Sequence, residues 1–163
     1  MSDDPVFRPS RDAGRWDGVE VRPYKDEGDA PFKDITRQAL FVDGRLGCEL
    51  RYFEMASGGH STLERHEHVH AVMIFRGRGE ALVGGTVRQV DTHDLVTIPP
   101  MTWHQFRANR GEPLGFLCMV NAERDRPQLP SETELDTLRQ TPEVAAFLDG
   151  STPRPKTPTR RRR

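Results

Sequence analysis
Between Ile35 and Val120, apolar and polar positions alternate in short runs, and a period of two predicts strands rather than helices. The candidate strands are Thr36–Val42, Cys48–Met55, Ser61–His66, His70–Phe75, Glu80–Val83, Thr86–Val90, Leu95–Ile98, His104–Ala108 and Leu114–Val120. Turn residues separate them at Asp43-Gly44, Arg76-Gly77-Arg78-Gly79, Gly84-Gly85, Thr92-His93-Asp94, Pro99-Pro100 and Asn109-Arg110-Gly111. In the second strand, Leu50, Tyr52 and Glu54 share one face, and Arg51, Phe53 and Met55 share the other. Many short strands with Gly and Pro turns predict an all-β barrel or sandwich of the double-sheet type.

The flanks follow other rules. Residues 1–34 form a polar N-terminal arm broken by Pro5, Pro9, Pro23 and Pro31, in which Trp16–Val21 alternates weakly, as a strand at an edge or on a partner subunit. Past the barrel region, residues 35–122, helical signals begin. Ser131-Glu132-Thr133-Glu134 has the form of a capping box, with Leu135 and Leu138 on one helical face. Thr141-Pro142 opens a second short helix with Val144, Phe147 and Leu148 on its apolar side and Gly150 as its stop. Residues 123–150 are thus a short C-terminal helical segment, and 151–163 a basic tail expected to be disordered.

Composition narrows the class. Hydrophobic residues make up 34% of the chain, so the core must be concentrated in the strand region. The net charge of -1 conceals six cations in the tail, leaving -7 on residues 1–150. A mildly acidic folded part argues against nucleic acid as a partner. Cys48 and Cys118 are too few and too far apart for a disulfide framework or a thiolate zinc site. The start, Met1-Ser2-Asp3-Asp4-Pro5, has no apolar signal-peptide core, and no run approaches the roughly 18 apolar residues of a membrane span. A reducing, cytoplasmic setting is expected.

The chemistry concentrates in one stretch. Glu64, His66, His68 and His70 are spaced by two, ahead of the apolar run Ala71–Phe75, and a continuous strand would present all four on one side. Imidazole and carboxylate suit divalent first-row metals. A further histidine, His104, follows Pro99-Pro100-Met101-Thr102-Trp103. His60 and His93 read as turn residues. Tyr52, Met101, Trp103, Phe106 and Phe116 are candidate walls of an apolar pocket, and Arg51, Arg76 and Arg107 candidate phosphate partners. Phe116 and Cys118 share a face of the last strand, whereas Cys48 reads as core.

These residues resemble a single-domain bacterial cupin, a jelly-roll barrel (double-stranded β-helix) with two motifs, over roughly residues 40–122. Laid on from Gly58 without gaps, the first family motif falls on Glu64, His66, His70 and Gly77. The second falls on His93, Pro99, Met101 and His104, with Asn109 one place late. Glu64 stands where the family has its first His, His70 where it has its Glu, and His93 and Met101 where it has glycines. The resemblance implies metal ligands Glu64, His66, His70 and His104, with Glu67–Val69 as a turn and His68 either an alternative ligand or a neighbour of the site. It also implies that Cys118 faces the lumen, where a thiol near a cation is nucleophilic with a lowered pKa.

Leu63–Met73, Pro99–Phe106 and Gly115–Cys118 are similar to the cupins of a methylthioadenosine salvage branch leading to isoprenoid precursors. That resemblance implies Mn²⁺ (with Fe²⁺, Zn²⁺ or Ni²⁺ as substitutes), glutathione as co-substrate, and conversion of 1-methylthio-D-xylulose 5-phosphate to 1-deoxy-D-xylulose 5-phosphate. Cys118 would be the attacking thiol and His68 the proton donor, in a homodimer. Two other classes fit the ligand set: a metal-dependent dioxygenase or isomerase of another small molecule, and a non-catalytic small-molecule-binding cupin.

Overall fold
In the computed structural model, residues 6–25 and 31–151 are described. The elements are β1 (Ser10–Asp12), β2 (Arg15–Trp16), β3 (Arg22–Pro23), β4 (Lys33–Asp43), β5 (Cys48–His60), β6 (His70–Val83), β7 (Thr86–Asp91), β8 (Leu95–Ile98), β9 (His104–Ala108), β10 (Leu114–Asn121), α1 (Glu132–Leu138) and α2 (Pro142–Leu148). The chain is the all-β jelly-roll barrel that its sequence pattern predicts. The strands β5, β10, β6 and β9 pair in a ring, which closes the wall, while β4 and β3 extend it on one side and β7 and β8 pair with β6. Neighbours flank β10 on both edges, and the ring closes where β5 meets β9 at His60 and Arg107.

Alternation sets what faces inward. Along β6, His70, Val72 and Ile74 are buried between the exposed Ala71 and Met73, and along β10 Phe116, Cys118 and Val120 are buried. The aromatic rings of Phe53, Phe106 and Phe116 stack in the lumen, with centroids 5.2 and 4.7 Å apart. Each such ring contributes roughly 1.5–3 kcal/mol by leaving water. A second cluster, Leu63, Leu82, Val144 and Phe147, fastens α2 to the outside of the barrel.

Two strand expectations need correction. Ser61–His66 is not a strand: β5 runs on to His60, and only Glu64 and Arg65 pair, as isolated bridges to His104 and Gln128. Arg76–Gly79 is not a turn, because β6 is continuous from His70 to Val83. The pairing register with β10 shifts beside it, between Gly115 and Phe116, and Gly77 has φ +72°. A Cβ at Gly77 would lie 1.8 Å from the Pro113 carbonyl oxygen, and one at Gly79 2.2 Å from that of Arg107. These glycines allow a bulge and close strand crossing, not a reversal.

The arm does more than edge a sheet. Trp16 pairs within a small hairpin, and its ring packs on Tyr52 and Phe75, with centroids 5.1 and 5.8 Å away. The capping box at Ser131 is present: its hydroxyl accepts from Glu134 N, and the Glu134 carboxylate accepts from Ser131 N. Pro142 opens α2, but Thr141 makes no side-chain cap. Cys48, expected in the core, is half-buried, and both cysteines are free. Apart from Ser151, the basic tail lies outside the described residues. No described helix is long and apolar enough to cross a membrane.

Candidate metal centre
Three of the predicted ligands converge. The side chains of His66, His70 and His104 each offer a ligand atom, all within 4.8 Å of one another. They reach this point by different routes. His70 opens β6, His104 opens β9, and His66 lies just past the Glu64–His104 bridge, with its carbonyl fixed by Met101 N at 2.7 Å. Glu67 to Val69 makes the bend between His66 and His70. The picture of one continuous four-residue strand face is therefore replaced by two segments.

The second nitrogen of each ring is occupied. His66 Nδ1 lies 3.0 Å from the His68 carbonyl oxygen, and His104 Nδ1 lies 2.9 Å from that of Thr102. Each ring therefore donates its Nδ1–H to a carbonyl, which leaves the lone pair on Nε2. His70 Nδ1 faces Cys118 Sγ at 3.3 Å. The Nε2 atoms of His66 and His70 are buried with no hydrogen-bond partner. A buried ring nitrogen without a partner is costly unless a cation takes its lone pair, and the Nδ1–H tautomers of His66 and His104 are what metal-binding histidines require. Burial, followed by neighbouring imidazoles, pushes His66 down to about 4 and His70 down to about 2. Burial lowers His104 as well. Neutral imidazoles are the ligating form.

Glu64 is not in that group of three. It is buried and bridged to His104, but its Oε2 lies 2.6 Å from Lys25 Nζ, reached from the arm. His68 stacks on His66 with centroids 3.7 Å apart, and its Nδ1 meets Asp125 Oδ1 at 2.7 Å. His66, His68 and Asp125 form a second group of ligand type. The Asp125 carboxyl is pushed down to about 2, chiefly by the backbone N–H of Glu67 and also by His68.

Cys118 is 1% exposed and sits between His70 and Arg51, whose Nη2 is 4.0 Å from Sγ. Burial raises its pKa, and the Arg51 charge offsets only part of this. The lowered thiol pKa expected from a nearby cation is thus not the state of these side chains by themselves.

The site opens into a cavity of about 610 Å³. Phe106 and Phe116 line it, together with Tyr24, Phe53, Val72 and Leu129. Tyr52, Met101 and Trp103 do not. Tyr52 lies on the opposite face of β5, covered by Trp16, with its hydroxyl donating to Glu54. Met101 is exposed in its turn, and Trp103 packs against the α2 cluster under the Arg65 guanidinium. His93 is a turn residue, whereas His60 ends β5. Lys25, Tyr24 and Asp125 carried no motif. They come from the arm and the loop after β10, which only the folded chain brings to the cavity.

Comparison with known proteins places this geometry. Residues 51–120 match the Cupin domain family. Over 149 residues the chain is 60% identical to the 1-methylthio-D-xylulose 5-phosphate methylsulfurylase of Rhodospirillum rubrum, covering 91% of this chain and 96% of that one. A cupin 2 conserved barrel domain protein from Rhodopseudomonas palustris is 61% identical, with a TM-score of 0.83, over 87% of this chain and 98% of the other. A cupin 2 domain-containing protein from Halorhodospira halophila is 37% identical, with a TM-score of 0.64, over 79% and 94%.

Proposed function
We propose a function from one premise, that the chain belongs to the cupin domain family and is closely related to a methylsulfurylase. It is a metal-dependent enzyme that removes the methylthio group of 1-methylthio-D-xylulose 5-phosphate, with glutathione as thiol, and leaves 1-deoxy-D-xylulose 5-phosphate. The observation that carries this reading is the convergence of His66, His70 and His104, two of them with orphan Nε2 atoms, beside a lumen-facing thiol.

His66, His70 and His104 would hold the ion, with Glu64 as the neighbouring carboxylate. Three imidazoles and one carboxylate fit Mn²⁺, and also Fe²⁺, Zn²⁺ or Ni²⁺. When bound, the ion supplies Lewis-acid stabilisation of negative charge on the C2 oxygen of the substrate. Cys118 Sγ attacks the methylthio sulfur; a sulfur–sulfur bond forms as the C1–sulfur bond breaks. C1 departs with the bonding pair as an enolate and takes a proton from His68, which Asp125 orients. Glutathione then attacks the methyl-bearing sulfur, releases Cys118 as a thiolate and carries the methylthio group away as a mixed disulfide. One thiol proton is lost and one proton is gained at C1, so the steps balance.

Stacked Phe53, Phe106 and Phe116 exclude water from one side of the cavity. The molecule is a homodimer in this reading, with the exposed Met73, Leu95 and Met119 of β6, β8 and β10 as its apolar contact face.

Metal analysis of the purified protein, followed by proton NMR of the methylthio sugar phosphate with and without glutathione, tests the assignment. Bound metal and a thiol-dependent product are expected, with activity abolished by chelation. Absence of metal and of any thiol-dependent product would refute it. Cys118→Ala is expected to be inactive; full turnover at saturating glutathione would move the attack to glutathione itself.

A further inference from the structure
The cations of the cavity are not alike. Lys25 is paired with Glu64, Arg124 with Glu49 at 2.7 Å, and Arg126 is exposed to solvent. Of the three arginines that the sequence offered as phosphate partners, Arg76 is paired with Glu54; Arg107 donates to the Leu148 carbonyl at 3.1 Å, has a buried Nε without a partner, and like Arg76 is not in the cavity lining. Arg51 is different. It lies on β5, one strand register across from Cys118, and faces the cavity with Phe53. No carboxylate among the described residues pairs with it, and its Nε is buried without a hydrogen-bond partner. Its guanidinium carbon lies 5.1 Å from the Phe53 ring centroid, and its Nη2 lies 4.0 Å from the Cys118 thiol.

Arg51 is half-buried, and its unpartnered Nε and missing counter-charge leave a pairing that an anion in the cavity would complete. The planar fork fits phosphate in a bidentate manner. Arg37 lies next to it, in register with Phe53 on β4, and also lines the cavity.

We propose that Arg51, with Arg37 beside it, is the phosphate-binding fork of the cavity and selects phosphomonoesters over neutral sugars. The name of the preferred ligand rests on the function proposed above, whereas the fork itself does not.

Calorimetric titration of the metal-loaded protein with 1-deoxy-D-xylulose 5-phosphate, 1-deoxy-D-xylulose and inorganic phosphate tests the proposal. Wild type should bind the phosphorylated sugar at least tenfold more tightly than the neutral one. Arg51→Gln should lose about 10- to 100-fold of the phosphorylated sugar's affinity, the usual range for a charged hydrogen bond, with metal content unchanged. Arg51→Lys keeps the charge without the fork; it should fall between the two, and it decides the matter if the Gln variant does not fold. Equal binding of both sugars by wild type, or full phosphate preference in either variant, would overturn the fork. A raised glutathione KM with unchanged sugar-phosphate binding would overturn it too. A wild type that keeps this preference but turns over no methylthio sugar refutes the methylsulfurylase reading and leaves the fork standing.

Discussion

At the scale of single residues, the difference between His68 and His104 lies in what their ring nitrogens meet. His104 Nδ1 is held by a carbonyl and its ring joins His66 and His70, whereas His68 is turned to Asp125. His104→Ala should therefore lower metal affinity by more than the roughly 10–100-fold typical of an outer partner, and His68→Ala by no more than that range. Competition titrations with a chelator would measure both, and equal losses would put His68 among the ligands. The histidines were legible in the sequence because their spacing and the Pro turn are local features. Lys25 and Asp125 were not, because each meets its partner only through tertiary folding, 39 residues from Glu64 and 57 from His68. Tyr52 shows a subtler limit. Alternation set it on the face opposite Arg51 and Phe53, but its complete burial comes from the arm, so a fully buried ring outside the lumen passed for a pocket wall.

At the scale of elements, β6 is informative because the sequence punctuates it where the chain does not turn. Glycine pairs signal turns when nothing else constrains them, but here strand neighbours approach too closely for any side chain. Gly77→Ala should cost about 3 kcal/mol or more, combining a positive φ with overlap against a carbonyl. Gly85→Ala, with open space around it, should stay within about 1 kcal/mol of wild type. Urea unfolding of the two variants would show the contrast; equal midpoints would contradict the bulge. The strands β8 and β9 matched their expected bounds because the turns Thr92–Asp94, Pro99-Pro100 and Asn109–Gly111 lie outside them, where a turn signal is unopposed. The bounds of β5 moved because Gly58 and Gly59 extend the strand instead of ending it, with Gly59 under three carbonyls.

At the scale of the whole molecule, the ring of β5, β10, β6 and β9 turns one face of every strand inward and leaves the other to be covered or exposed. Phe41, Leu50, Met119 and Ala71 are register neighbours across four strands, and Leu117, Met73 and Leu95 form the next row. Leu95 is 74% exposed and Met119 49%. A second copy covering these rows would give a molar mass of about twice 18.6 kDa by light scattering. Leu95→Asp with Met119→Asp should halve it without loss of metal; a monomeric wild type would exclude the dimer. The barrel wall was legible in the sequence as a period of two, but its closure was not, since ring order depends on pairings far apart in the chain. The arm adds a lesson in modularity. The barrel could be excised at Lys33, where β4 begins, and every ring pairing would survive. The excised piece would lack Lys25 against Glu64 and Trp16 against Tyr52, leaving a sheltered carboxylate without its cation and a ring without its cover. The length of chain that keeps the ring and the length that keeps the arm's contacts at the site are then different, and homologues that exchange barrels would have to exchange arms with them.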